Sequence, residues 1–194
     1  MSADEITVGK AHIGDVPGIA ALVERYARRS EVLPRSPENI YETLREWVVA
    51  RRDGEVVGCG SLVILWCDLA EIRSLIVTPE LQGTGIGRRM VVALLAEASA
   101  LQIPRVFALT RRPGFFARLG FERVARETLP RKMWKDCMHC TNFAGCDEVA
   151  LVRPVAQPVS PGPVGGDAES VAGLADNGHE PDCVTMPVGL QLGS

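Results

Sequence analysis

The stretch Glu71-Ile-Arg-Ser-Leu-Ile-Val-Thr-Pro-Glu-Leu-Gln-Gly-Thr-Gly-Ile-Gly-Arg-Arg-Met90 decides the reading of this chain. A short apolar strand runs into a glycine-rich turn, and an amphipathic helix follows. Glycines in Gln82-Gly83-Thr84-Gly85-Ile86-Gly87-Arg88 let backbone N–H groups converge on one point without Cβ clashes. A helix starting near Gly85 adds its unpaired N–H groups and the positive end of its dipole. Such a nest suits a diphosphate, and a diphosphate-binding turn implies a nucleotide-like cofactor.

Two common phosphate loops are excluded by spacing. A P-loop needs Gly-x4-Gly-Lys-Ser/Thr, and no Lys-Ser/Thr follows Gly87. A dinucleotide-binding turn needs Gly-x-Gly-x-x-Gly, whereas Gly83, Gly85 and Gly87 alternate, and no βαβ repeat with an acidic ribose ligand follows.

Outward from this stretch, 194 residues suit one domain plus a tail, and 46% hydrophobic residues are ample for a core. A net charge of −3 argues against a nucleic-acid surface. No run of ~18 apolar residues suggests a membrane span. Met1-Ser-Ala-Asp-Glu-Ile lacks the basic-then-apolar layout of a signal peptide. The expectation is a cytoplasmic protein whose six cysteines are free thiols or metal ligands rather than disulfides. Past Arg153 the composition turns to Pro and Gly without hydrophobic period. Residues 5–153 are therefore expected to form the domain, and 154–194 a disordered tail.

Within the domain, Ile6 to Ala11 reads as a strand. Asp15 is a suitable N-cap for a helix carrying Ile19, Leu22, Val23 and Tyr26. Ser36 and Pro37 start a second helix carrying Ile40, Leu44 and Trp47. From Val48, two β-rich runs joined by Asp53-Gly54 read as a hairpin. Leu69–Val77 is the central strand, Arg88–Leu101 a helix and Arg105–Leu109 a strand. Gly114–Gly120 is a short helix with a glycine C-cap. Phe121–Arg126 and Glu148–Arg153 are the last strands.

Gln82-x-x-Gly85-x-Gly87 after a strand ending in Val77-Thr-Pro79 resembles the acetyl-CoA signature of the GNAT N-acetyltransferase superfamily. Phe115-Phe-Ala-Arg-Leu-Gly-Phe121 resembles that superfamily's late motif, Tyr/Phe-x-x-x-Gly-Phe, and the element order matches as well. The resemblance covers about residues 5–153. It implies an α/β (α+β) fold with a mixed, mostly antiparallel sheet that splits at the cofactor site. It also implies acetyl-CoA as co-substrate, homodimers being common in the superfamily.

Acetyl transfer to an amine requires a held thioester, a deprotonated amine and a stabilised oxyanion. By the resemblance, the backbone of Leu75, Ile76 and Val77 pairs with the pantetheine, and the N–H of Leu75 or Ile76 serves the oxyanion. Residues Gln82 to Arg88 hold the diphosphate. Glu71 starts the strand and, by alternation, shares a face with Arg73, Leu75 and Val77. The superfamily often has a glutamate general base there; the other reading is a salt bridge or strand-edge charge. The tyrosine that often serves as general acid in the late motif is replaced by Phe115 and Phe116, and Tyr26 and Tyr41 lie outside it.

Leu33-Pro-Arg35-Ser-Pro-Glu-Asn-Ile, Leu109-Thr-Arg111-Arg-Pro-Gly-Phe-Phe and Thr128-Leu-Pro-Arg-Lys132 resemble segments of bacterial N-acetylglutamate synthases. That resemblance implies arginines at Arg35 and Arg111 holding the two carboxylates of L-glutamate. A guanidinium fork is suited to gripping a carboxylate. Arg73 and Ser74 are further substrate-binding candidates, and Arg112 and Lys132 weaker ones. The implied activity is acetylation of the glutamate α-amine, the first step toward arginine. Glutamine or another small amine is the alternative acceptor, and a non-catalytic acetyl-CoA-binding module the alternative from another class. The fuller synthases carry an N-terminal amino-acid-kinase domain; this chain starts at the acetyltransferase domain and is expected to be a short form.

Cys137-Met-His-Cys140-Thr-Asn-Phe-Ala-Gly-Cys146 departs from the superfamily pattern. Cys137 and Cys140 have chelating spacing and Cys146 could be a third ligand, but the fourth is undefined. A metal, a redox pair and plain thiols stay open. Cys59 and Cys67 read as core fillers.

Overall fold

A computed structural model describes residues 5–129 and 145–155 of the chain. The expected tail lies outside these residues, apart from its first two. Strand β1 (Thr7–Lys10) leads into helix α1 (Val16–Ala27), then α2 (Pro37–Glu42), β2 (Trp47–Arg52), β3 (Glu55–Trp66) and β4 (Leu69–Val77). Helix α3 (Ile86–Ala100) is followed by β5 (Arg105–Thr110), α4 (Pro113–Ala117), β6 (Glu122–Arg123) and β7 (Val149–Pro154). The seven strands form one sheet in the order β1-β2-β3-β4-β5-β7-β6. It is antiparallel throughout except at β4–β5, which are parallel and joined through α3.

The parallel joint positions the site. β4 and β5 share only the register pairs Ala70↔Val106 and Glu71↔Phe107. Both strands run on, to Val77 and Thr110, without further mutual pairing. A cleft therefore opens between their carboxyl ends, where α/β sheets place ligands.

Each face is packed on its own core. On one face Met90, Val91, Leu94 and Ala98 of α3 meet Ala50, Leu62, Ala70, Ile72, Val106 and Ala108, with Phe116 and Phe121 closing the end. On the other, Ile19, Val23 and Tyr26 of α1 and Ile40 of α2 pack on Trp47, Val49, Cys59 and Ile76. A smaller cluster of Leu69, Phe107, Leu129 and Ala150 completes this second face.

Two expectations are corrected here and a third is refined. Trp47 opens β2 rather than riding on the second helix, which ends at Glu42. Its run Trp47–Ala50 is fully buried and pairs with both β1 and β3, and that two-sided ladder outweighs the helical spacing from Ile40. The strand expected over Phe121–Arg126 holds only Glu122–Arg123, because the chain turns into a 3-10 segment at Arg126–Thr128. Asp15 is the N-cap residue of α1 as expected, but its side chain makes no capping hydrogen bond to that helix. Its carboxylate accepts from the His12 backbone N–H at 2.7 Å and from Arg51 Nε at 2.7 Å.

Candidate active site

The central strand is not regular. Cys59 pairs with Ile76 and Ser61 with Arg73, so Ser74 and Leu75 together face the single residue Gly60. This is a β-bulge, and Ser74 takes a left-handed φ of 48°. Such a conformation costs a non-glycine residue about 1–2 kcal/mol and is held by its surroundings. The bulge shifts the side-chain alternation by one. Glu71 and Arg73 thus share a face with Ile76, not with Leu75 and Val77 as strict alternation predicted. Leu75 and Val77 instead pack on the α3 side.

The bulge also sorts the backbone donors. Thr78 N–H donates to the Val57 carbonyl at 3.0 Å. By the alternation of an antiparallel ladder, Ile76 then turns its N–H toward β3, while Val77 turns its N–H and carbonyl away from it. The Val77 carbonyl accepts from the Tyr26 hydroxyl at 3.1 Å and from Gln82 Nε2 at 3.0 Å.

The glycine turn has the conformation its sequence demands. Gly83 and Gly85 have φ of 82° and 90°, and a Cβ on either would meet nothing within 4 Å. At both positions glycine is required by the backbone, not by crowding. Gly85 is the N-cap of α3 and supplies no side chain, so the first N–H groups of a 15-residue helix stay open for an anion. At Gly87 a Cβ would sit in van der Waals contact with Phe115, 3.4 Å from its Cζ. That contact explains why the late aromatic motif lies beside the turn. Thr84 points outward, its hydroxyl donating to the Leu81 carbonyl at 2.7 Å. Ile86 is buried in the α3 core, so any role of these two toward a phosphate runs through the backbone. These features fit the diphosphate and pantetheine of a coenzyme A thioester.

A cleft of about 1200 Å³ joins these parts; Glu71, Arg73, Ser74, the β4 end, the glycine turn with Arg88, and both Arg35 and Arg111 line it. Glu71 and Arg73 are 3% and 9% exposed, and Arg73 Nε donates to Glu71 Oε2 at 2.5 Å. Of the two readings offered for Glu71, the salt bridge is therefore real; it also orients the carboxylate within the cleft. Arg35 is half-buried on the loop before α2. Arg111, just past β5, is exposed, and its Nε donates to Asp147 Oδ1 at 2.6 Å.

Several lining residues carried no signal in the sequence. Tyr26 reaches the cleft from α1 rather than from the late motif, whereas Tyr41 is 48% exposed and does not line it. Arg118, at the C-cap of α4, joins Arg112 and Arg88 along the cleft wall. Glu31 and Glu148 add carboxylates at the Arg111 end.

Cys59 fills the core as expected, and burial pushes its thiol up to about 12. Cys67 does not. It lies at the exposed turn between β3 and β4 and is disulfide-bonded, while Cys59 and Cys146 are free thiols. Cys146 accepts from Arg126 Nη2 at 2.7 Å. No group of three or more metal-ligating side chains occurs among the described residues, and Cys137, Cys140 and Lys132 lie outside them. No helix among the described residues is long and apolar enough to cross a membrane.

The chain is similar to known proteins. An uncharacterized N-acetyltransferase from Chlorobaculum tepidum is 39% identical over 79% of this chain and 99% of its own length. An amino-acid acetyltransferase from Mycobacterium tuberculosis is 45% identical over 60% of this chain and 68% of its own. Among solved structures, N-acetylglutamate synthase from Neisseria gonorrhoeae, complexed with coenzyme A and N-acetyl-glutamate, superposes with a TM-score of 0.71 at 30% identity over 80% of this chain. The chain spans only 36% of that synthase's length. A Mycobacterium tuberculosis protein in complex with CoA and NLQ superposes at 0.65 with 34% identity, over 77% of this chain and 99% of that one. The sequence model of the acetyltransferase (GNAT) family matches residues 19–121, the span from α1 through the glycine turn to Phe121. With its split sheet, bulged central strand and open glycine turn, the chain belongs to the GNAT acetyltransferase family.

Proposed function

We propose that this acetyltransferase acts on the α-amine of a small amino acid, with L-glutamate as the preferred acceptor and arginine synthesis as its setting. One observation carries the reading: two guanidinium groups, Arg35 and Arg111, line the same cleft as Glu71 and the glycine turn. A dianionic acceptor needs two cationic grips beside the reacting centre, and arginine provides them in fork geometry. The kinship with proteins named amino-acid acetyltransferase, and with a synthase solved with N-acetyl-glutamate, supports the same acceptor class.

Acetyl-CoA, the family's co-substrate, supplies the thioester. The chain's own residues then divide the work. The open N–H groups at Gly85–Gly87 and the arginines beside them hold the diphosphate. The Val77 edge of β4, turned away from β3, receives the pantetheine as an added strand would be received. Leu75, released from the ladder by the bulge, offers its N–H to the oxyanion, since Ile76 faces β3. Glu71, fixed by Arg73, takes the proton from the acceptor ammonium, directly or through water. The departing thiolate takes a proton from the amine or from water, because the late motif supplies no tyrosine.

The test is thiol release from acetyl-CoA with each of the twenty amino acids in turn. Turnover with glutamate above the others supports the reading. Turnover confined to neutral or basic amines removes glutamate as acceptor and leaves the acetyltransferase intact.

A further inference from the structure

Arg111 is already holding an anion. Its Nε donates to Asp147 Oδ1 at 2.6 Å, and its Nη1 donates to the Ser30 carbonyl. A guanidinium grips a carboxylate bidentately through the Nε/Nη2 edge or the Nη1/Nη2 edge. Each edge therefore has one prong in use, and an incoming carboxylate gains a fork only where a resident partner yields.

The two residents differ in how firmly they are held. Ser30 sits in a tight turn closing α1, with φ of 55°. Its N–H donates to Ala27 at 2.9 Å, and the next N–H donates to Tyr26 at 3.1 Å. Asp147 lies on the irregular segment before β7, and its side chain is 62% exposed. The bond from Arg111 also holds the Asp147 carboxyl below its ordinary range, so it is an anion at neutral pH. Asp147 is the partner that yields, and it exchanges one carboxylate for another.

We propose that Asp147 is a resident competitor for the acceptor's carboxylate at Arg111, and therefore a specificity-determining residue of the acceptor site. A charged acceptor group replaces Asp147 like for like. A neutral amide brings no charge to replace the one it would remove from Arg111, and does not displace it. Glu148, also on the cleft wall, adds repulsion that raises the threshold for any weakly held anion. Asp147 thus lowers affinity most for the acceptor that displaces it, and so sets how far a carboxylate is preferred there.

The inference rests on Arg111 being the acceptor's grip, so the experiment measures both. Steady-state kinetics with glutamate and with glutamine are compared for the full-length protein, Asp147→Asn, Asp147→Ser and Arg111→Ala. Removing an exposed competing charge is expected to lower the glutamate KM about three- to fivefold, with the change in KM rather than kcat. The glutamate-to-glutamine ratio of kcat/KM rises, by at most the same factor, in both Asp147 variants, and the acetyl-CoA KM stays fixed. An unchanged or higher glutamate KM in both Asp147 variants, with Arg111→Ala still impaired, overturns the competitor role alone and makes Asp147 a positioning residue for Arg111. An unaltered glutamate KM in Arg111→Ala overturns the inference together with the grip it depends on.

Discussion

Glu71 and Arg73 stand two residues apart on one face of β4, the carboxylate accepting from the guanidinium Nε at 2.5 Å with both side chains buried. The pair lies in the gap between the two apolar clusters on that face, next to the bulge at Ser74. Breaking a buried pair on one side weakens the compensation of the charge left behind. Arg73→Ala is expected to lower unfolding stability by about 3 kcal/mol, read by urea denaturation. Glu71→Gln keeps the volume and the hydrogen-bond acceptor, so its main effect is on the proton transfer. Its kcat is expected to fall by roughly a hundredfold or more, with the acetyl-CoA KM little changed. Equal stability losses in the two variants with full kcat retained in Glu71→Gln would make the pair structural only.

The glycine turn separates two kinds of constraint. A Cβ at Gly85 meets no atom within 4 Å, so Gly85→Ala is strained by its φ of 90° alone. The cost is about 1–2 kcal/mol, and it tilts the N–H groups that face the diphosphate. The acetyl-CoA KM is expected to rise roughly tenfold, measured by initial rates at saturating acceptor. A Cβ at Gly87 meets Phe115 at 3.4 Å and Val77 at 3.8 Å, so any cofactor affinity lost in Gly87→Ala should be recovered when it is combined with Phe115→Leu, which relieves the nearer contact.

Asp15 sets an acid limit on stability. Burial pushes its carboxyl up, but hydrogen bonds from Arg51 and the His12 N–H, with their charges, together hold it below the ordinary value of 3.8. A carboxyl whose folded value is depressed contributes stability above its unfolded value and loses it as pH falls through the folded one. Asp15→Asn is therefore expected to cost about 2 kcal/mol at pH 7, and the gap to the parent protein should close below about pH 3.8. Denaturant melts at pH 7 and pH 3 decide the matter; a gap that widens in acid contradicts the assignment.

The acceptor grip predicts a split between the two substrates. Arg35→Ala and Arg111→Ala each remove a charge-assisted carboxylate contact and should raise the glutamate KM at least tenfold, with acetyl-CoA binding unaltered by calorimetry. Arg111→Lys restores charge without the fork and should recover only part of the loss. Loss of acetyl-CoA binding in either alanine variant would place that arginine on the cofactor instead.

Much of this architecture could be read from residue order, for physical reasons. Asp53-Gly54 marked the hairpin because few other pairs accept its backbone angles; Asp53 has φ of 53° and Gly54 of 82°. Leu69–Val77 and the body of α3 were legible because apolar period and glycine punctuation agree there, though α3 starts at Ile86 rather than Arg88 and ends at Ala100 rather than Leu101. Trp47 was misread because Ile40, Leu44 and Trp47 satisfy a helical period, and only pairing with β1 and β3 overrules it. The bulge at Ser74 left no mark, since no glycine stands there and Glu71, Arg73, Leu75 and Val77 alternate cleanly. Its consequence, the split of those side chains between two faces, is set by the partner strand. Asp147 was equally invisible, being 36 residues from the arginine it binds and outside any motif.

The account's central claim is a dianionic amino acid held across Arg35 and Arg111 for acetylation at its amine. Its most direct test is a competition: equal glutamate and glutamine with limiting acetyl-CoA, the acetylated products resolved by mass. The account predicts that acetylated glutamate dominates and that its lead shrinks in Arg111→Ala. A product mixture dominated by acetylated glutamine, or a ratio unmoved by Arg111→Ala, would contradict it.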